Sequence, residues 1–164
     1  MSKSQVQHID PRAVGLRTLD LKQPVFGPEA VARADETLKA MAESMQQWID
    51  ADIEQLQELR LAAEAAHWDA ESVDALMGCA HDLKGLGATY GYPLVTLIAA
   101  SLCRLTETDA GKAVVQRDPG LARAHVDALR AIVRGSIRAP DHPVGTALRH
   151  TLEAEVAKLG VAPR

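Results

Sequence analysis

The sequence predicts an all-α protein built on an antiparallel up-and-down four-helix bundle. Three observations carry that prediction. Apolar residues recur at steps of three and four along several separate stretches, which is one face of a helix each time. Aromatics make up only 3% of the 164 residues while 47% are hydrophobic, and sheets draw on aromatic and β-branched residues. Between the stretches stand short polar loops marked by Pro, Gly and Asp, which bring successive helices back alongside one another. No strand-like alternation competes with this reading.

Residues 1–27 read as an irregular N-terminal arm, interrupted by Pro11, Gly15 and Pro24. Gly27-Pro28-Glu29 looks like a helix start, since proline tolerates the first helical position and an acidic residue suits the positive end of the dipole. Leu38, Met41, Met45, Trp48 or Ile49, Ile53, Leu56, Leu59 and Ala63 then form one stripe, with Met45 and Trp48 as core anchors. Glu43, Gln46, Asp50, Glu54, Gln57 and Glu58 form a solvated face. One helix from 28 to 65 would be unusually long, so a break between Ala32 and Thr37 is expected, leaving an extra short N-terminal helix.

Asp69 is placed to cap the next helix, whose stripe is Val73, Leu76, Ala80 and Leu83. The pattern fades at Thr89-Tyr90-Gly91-Tyr92 and restarts at Pro93 with Leu94, Leu97 or Ile98, Ser101, Leu102 and Leu105. Residues 106–117 read as a polar loop with at most a turn at Val114-Val115. Asp118-Pro119 opens a fourth helix carrying Leu121, His125, Ala128 or Leu129, Ile132 and Ile137 inward. After Ala139-Pro140 a fifth, C-terminal helix carries Leu148, Leu152, Val156 and Leu159, and Gly160 ends it. The bundle domain therefore spans 28–138, and 139–164 is a helical extension.

A formal net charge of −4, with no basic block, argues against nucleic acid, because phosphate contacts need clustered Lys and Arg. The most apolar stretch, Pro93 to Leu102, is too short to span a bilayer, and the N-terminus lacks a signal-peptide core. A soluble, cytoplasmic monomer is expected. Cys79 and Cys103 read as reduced core thiols, and no metal site is expected on this chain.

The informative segment is Ala80-His81-Asp82-Leu83-Lys84-Gly85-Leu86-Gly87-Ala88-Thr89-Tyr90-Gly91. Ala80 and Leu83 point inward, so His81 and Lys84 lie nearer solvent, three apart and neighbours on the helix surface. Gly78 and Gly85 fall on the histidine's own face, and each costs about 1 kcal/mol relative to alanine. Something must therefore approach the backbone there. Neutral imidazole, with an unperturbed pKa of about 6.5, is a competent nucleophile at physiological pH. A lysine one turn away neutralises phosphoryl oxygens as charge builds on them, and bare glycines admit a partner's active site.

His81-Asp82-Leu83-Lys84-Gly85, followed by Gly91, resembles the signature of histidine phosphotransfer domains. The resemblance covers about residues 36–138. It implies that His81 accepts a phosphoryl group from a receiver-domain aspartate or a histidine kinase of the hybrid kind, and donates it to a response regulator. It also implies that Lys84 supports the phosphohistidine, that Gly85 gives clearance and that Gly91 is the turn glycine of the helical hairpin. Gly78, Ala88, Asp82 and Asp74 are further candidates for partner docking. Such a carrier needs no cofactor of its own, and Mg²⁺ is expected on the receiver partner. One departure stands out: many members carry a polar residue, often glutamine, opposite the histidine, and the aligned position is Cys103, with Ser101 and Arg104 nearby.

His125 reads as a packed core histidine, and His8, His67, His142 and His150 as surface or loop positions. Three other readings were weighed. A docking module that carries no phosphate needs neither His81 nor Lys84. An enzyme with His81 as general base needs an orienter, a nucleophile and a concave pocket. The phosphoacceptor domain of a chemotaxis-type kinase needs an attached ATP-binding domain. A phosphocarrier, rather than an enzyme, is the reading that uses every residue of the segment.

Overall fold

The computed structural model of the chain describes residues 27–160, and the arm expected over 1–27 lies outside them apart from Gly27. All regular structure among the described residues is helical. The elements are α1 (Pro28–Ala65), α2 (Ala70–Leu86), α3 (Pro93–Thr106), α4 (Asp109–Arg117), α5 (Gly120–Arg134) and α6 (Pro143–Lys158). Two compact units are distinguished, Met1–Ala40 and Met41–Arg164. In the first, the described residues are the start of α1, and all of Pro28–Ala40 except Ala30 are exposed.

The second unit is organised around α3. Its sequence is apolar almost all round, the mark of a helix buried on several sides, and nine of its residues, from Leu94 to Thr106, are buried. α2, α4, α5 and α6 all pack against it. α1 contributes Ile49, Ile53, Leu56 and Ala63 to the same core. Each fully buried Leu or Ile contributes roughly 1.5–3 kcal/mol of transfer free energy. Around that core, α1 is tied to the far end of the chain by polar contacts: Glu54 to Arg134 at 3.0 Å, Glu64 to Arg123 at 3.0 Å and Gln46 to Arg138 at 2.5 Å. Exposed pairs of this kind add little energy and mainly fix orientation.

Two of the expected helix ends are where the residue types place them. Asp69 accepts from the backbone N–H of Ser72 at 2.9 Å and opens α2. Gly160, past the end of α6, has φ +74, the left-handed conformation that glycine adopts without a Cβ penalty. His67 and Trp68, in the turn before α2, also have positive φ, 53° and 56°. Trp68 nonetheless enters the core, 3% exposed.

Three sequence expectations are corrected. α1 runs without a break, so there is no separate short N-terminal helix. Between Glu29 and Ala65 there is no Gly or Pro, and Ala, Leu, Glu, Gln and Met are strong helix formers. Trp48 is no core anchor: it is 55% exposed, with its ring 6.2 Å from that of Tyr90, and Met45 is half-buried. Ile49, one position on, takes the inward place. The expected loop 106–117 is largely α4, capped by Thr108, whose hydroxyl accepts from the N–H of Gly111 at 3.1 Å. A single buried anchor, Val115, gives too weak a stripe for periodicity to register.

α6 buries Leu152 and Val156 and packs on α3 and α5, so it belongs to the same compact unit. The turn into α4 depends on Gly111. A Cβ there would collide with the backbone carbonyl of Leu105. Gly111→Ala is expected to destabilise the fold by about 1–3 kcal/mol, read as a lower urea midpoint at unchanged m-value.

Candidate functional site

α2 buries Val73, Leu76, Cys79, Ala80 and Leu83. At about 100° per residue, those positions leave Asp74, Met77, Gly78, His81, Lys84 and Gly85 on the other side, and Ala88 follows in the turn beyond α2. His81, Asp82, Gly78, Gly85 and Ala88 are exposed, whereas Lys84 and Met77 are half-buried at the margin. Among the described residues, no side-chain hydrogen bond or ion pair engages His81, Asp82 or Lys84.

The glycines divide into two kinds. Gly87, at the end of α2, is buried, and a Cβ there would lie 2.8 Å from the backbone nitrogen of Thr96. Gly91 has φ +84, and a Cβ would meet the Arg138 guanidinium at 2.8 Å. Both are required by the turn between α2 and α3, which Thr96 closes by accepting from the N–H of Ala88 at 2.9 Å. Around Gly78 and Gly85, by contrast, a Cβ would meet nothing within 4 Å. Among the described residues no contact requires either of them.

Beside His81 lies an open depression of about 360 Å³, lined by Met77, Gly78, His81 and Asp82 from α2 and by Cys103 and Glu107 from the end of α3. Cys103, the position expected opposite the histidine, thus faces the same depression. Its side chain is 1% exposed, and burial pushes the thiol up from its ordinary value, opposed by the positive charge of Lys84. A protonated thiol offers one weak donor and a weak acceptor, much less than the amide of a glutamine. Behind the site, burial and then the negative charge of Asp82 push the Asp52 carboxyl up. Cys79, pushed up to about 11 chiefly by burial, lies 3.8 Å from the Asp52 carbonyl oxygen, to which it donates.

The remaining candidates have other engagements. Asp74 is paired with Lys112 of α4 at 2.5 Å, a half-exposed pair that helps orient α4 on α2. Ser101 is fully buried and bonded to His125 at 3.0 Å. Arg104 lies 3.8 Å from Glu153 of α6. Sequence reasoning missed Met77, Glu107 and Asp52. Met77 was within reach, since it sits four residues before His81. Glu107 was not, because it falls in a stretch that reads as loop.

Two other open grooves, one between the start of α5 and the end of α6 and one along α5 and α6, present no histidine or cysteine. Among the described residues no group of three or more His, Cys, Asp or Glu has the geometry to hold a metal ion, and no helix is long and apolar enough to cross a membrane. Comparison with family models, with curated proteins and with solved structures finds no match to this chain.

Proposed function

We propose that this chain is a histidine phosphotransfer protein, in which α1 from Met41 on, α2, α3 and α5 act as an antiparallel four-helix bundle presenting His81. The observation that carries the reading is an exposed histidine, without a side-chain bond among the described residues, flanked on its own helix face by two glycines that no contact among them requires. Each of those glycines costs about 1 kcal/mol of helix stability. A partner that closes over the imidazole accounts for both.

In the proposed step the lone pair of the unprotonated imidazole nitrogen attacks phosphorus in a receiver domain's aspartyl phosphate. The N–P bond forms, the P–O bond to the aspartate breaks, and the carboxylate leaves with that electron pair. The other ring nitrogen keeps its proton. Lys84, one turn along, offsets charge on the phosphoryl oxygens. The reverse step delivers the group to a second receiver. Mg²⁺ belongs to the receiver in this scheme, and the chain works as a cytoplasmic shuttle between a hybrid histidine kinase and a response regulator.

The test is label transfer from a phosphorylated receiver domain to the wild-type chain and to His81→Gln, side by side. The expected result is an acid-labile, base-stable label on wild type alone. Equal label on both would assign the chemistry to another residue. No label on either, across several donors, would favour a docking module that carries no phosphate.

A further inference from the structure

Transfer through His81 runs both ways, so its direction depends on what the surroundings do to the phosphorylated ring. A phosphoryl group carries close to two negative charges near neutral pH. The charges beside the depression therefore decide how well it is tolerated there. Lys84 supplies one cation, on the histidine's own helix. Asp82 and Glu107 supply two carboxylates among the lining residues. Neither is held by an ion pair or a side-chain hydrogen bond among the described residues. The other cations nearby are engaged: Lys112 pairs with Asp74, and Arg104 lies 3.8 Å from Glu153.

Glu107 is the more informative of the two carboxylates, because it reaches the histidine from a different helix. It ends α3, its backbone N–H donating to the carbonyl oxygen of Cys103 at 2.8 Å. Leu105 and Thr106 before it are fully buried, and Thr108 after it caps α4. The backbone at this position is thus fixed between two helices, and only the side chain can move. Beyond the effect of burial, Lys84 lowers the Cys103 thiol and Glu107 raises it. Both charges therefore reach the floor of the same depression, with opposite signs.

We propose that Glu107 sets the direction of transfer: its carboxylate, facing the phosphoryl group across the depression, raises the energy of phosphorylated His81 and favours donation to a receiver. The inference rests on the phosphotransfer reading and adds a preferred direction to it. The reaction is the one written above, an N–P bond exchanged for the aspartate's P–O bond, with the second ring nitrogen keeping its proton. Lys84 acts in the opposite sense, and the balance of the two charges fixes the equilibrium. One negative charge opposite two, across an open space of this size, shifts that equilibrium by roughly 5-fold. Glu107 is exposed, so salt screens the effect.

The test is the equilibrium constant for exchange between a phosphorylated receiver domain and the full-length chain, approached from both directions. Wild type, Glu107→Gln and Glu107→Asp are compared. The constant depends only on the free species. A residue that merely docks the receiver changes forward and reverse rates together and leaves it unmoved. Glu107→Gln keeps the shape, removes the charge and is expected to shift the equilibrium toward phosphorylated His81 by roughly 5-fold. Glu107→Asp keeps the charge and is expected to stay near wild type. Raising KCl from about 0.05 M to about 1 M, where the screening length falls to about 3 Å, is expected to bring wild type and the glutamine variant together.

Equal constants for wild type and Glu107→Gln would overturn the proposal, whether or not the rates differ. So would a shift that Glu107→Asp shares, or one that salt leaves unchanged. Absence of label on wild type would remove the phosphotransfer reading and this inference with it. Label with equal constants would remove the inference alone.

Discussion

Gly85→Leu is expected to lower the rate of phosphoryl acceptance by at least about 100-fold while leaving the chain more stable than wild type. The two effects have different origins and opposite signs. Within the chain, a Cβ at position 85 meets nothing within 4 Å and the residue is helical. At the Cβ the substitution therefore creates no clash, and it removes a glycine's helix penalty, a gain of about 0.5–1 kcal/mol. Toward a partner, a branched side chain one turn beyond His81 occupies the space through which a receiver's active site must approach. A displacement on the order of 1 Å in a transfer geometry costs about 100-fold. Initial rates of label transfer and urea midpoints, taken on the same preparation, separate the two. A leucine variant that transfers at the wild-type rate would show that the glycine is not a clearance residue. A loss of rate accompanied by a loss of stability would make the effect structural.

That test works because the structure distinguishes glycines that look alike in the sequence. Gly85, Gly87 and Gly91 stand within seven residues of one another, and residue type alone does not say which of them the fold requires. Only their surroundings show that Gly87 and Gly91 are committed to the turn and Gly85 to nothing. The helices themselves were legible, because inward residues such as Val73, Leu76, Ala80 and Leu83 sit at the period that burial demands. So was the exposure of His81, which follows from the position of that stripe on the same helix.

What periodicity leaves undetermined is which elements meet. A short helix with one buried anchor, α4, left little trace in the pattern. Its ion pair from Lys112 to Asp74, 38 residues apart, left none. The stripe of α1 was visible as apolar but not as exposed, since spacing shows that a helix has an apolar face and not what that face meets. Glu107 and Asp52 come to the neighbourhood of His81 only through the packing of α3 and α1 on α2.

Lowering the pH from about 7 to about 4 is expected to remove about 3 kcal/mol of stability through one residue, His125. This histidine is fully buried on α5. Its Nδ1 lies 2.8 Å from the carbonyl oxygen of Leu121, which only accepts, so Nδ1 carries the proton and donates. Nε2 is then the acceptor, 3.0 Å from the hydroxyl of Ser101. Protonating Nε2 need not break that contact, because the serine hydroxyl can turn and accept instead. The penalty lies in placing a cation in the core. Burial is the main cause, the charge of Arg104 adds to it, and the bond to Leu121 opposes it, leaving the ring lowered from 6.5 to about 4. Because the folded value lies below the unfolded one, the unfolded chain binds the proton more readily in this window. The His125 contribution to stability is therefore present above about pH 6.5, falls as the pH is lowered toward about 4, and is lost below it. The carboxyls of Glu64 and Asp69, held low by their partners, give up their contribution at the acid end of this range or below it. Asp52, held high by burial and then by Asp82, acts with the opposite sign as it takes up its proton. The difference between wild type and a His125 variant is therefore what isolates the histidine. Urea denaturation of wild type and His125→Gln at closely spaced pH values measures the slope. A flat wild-type profile between about pH 6.5 and pH 4.5, or an equal slope in the glutamine variant, would assign the acid sensitivity elsewhere.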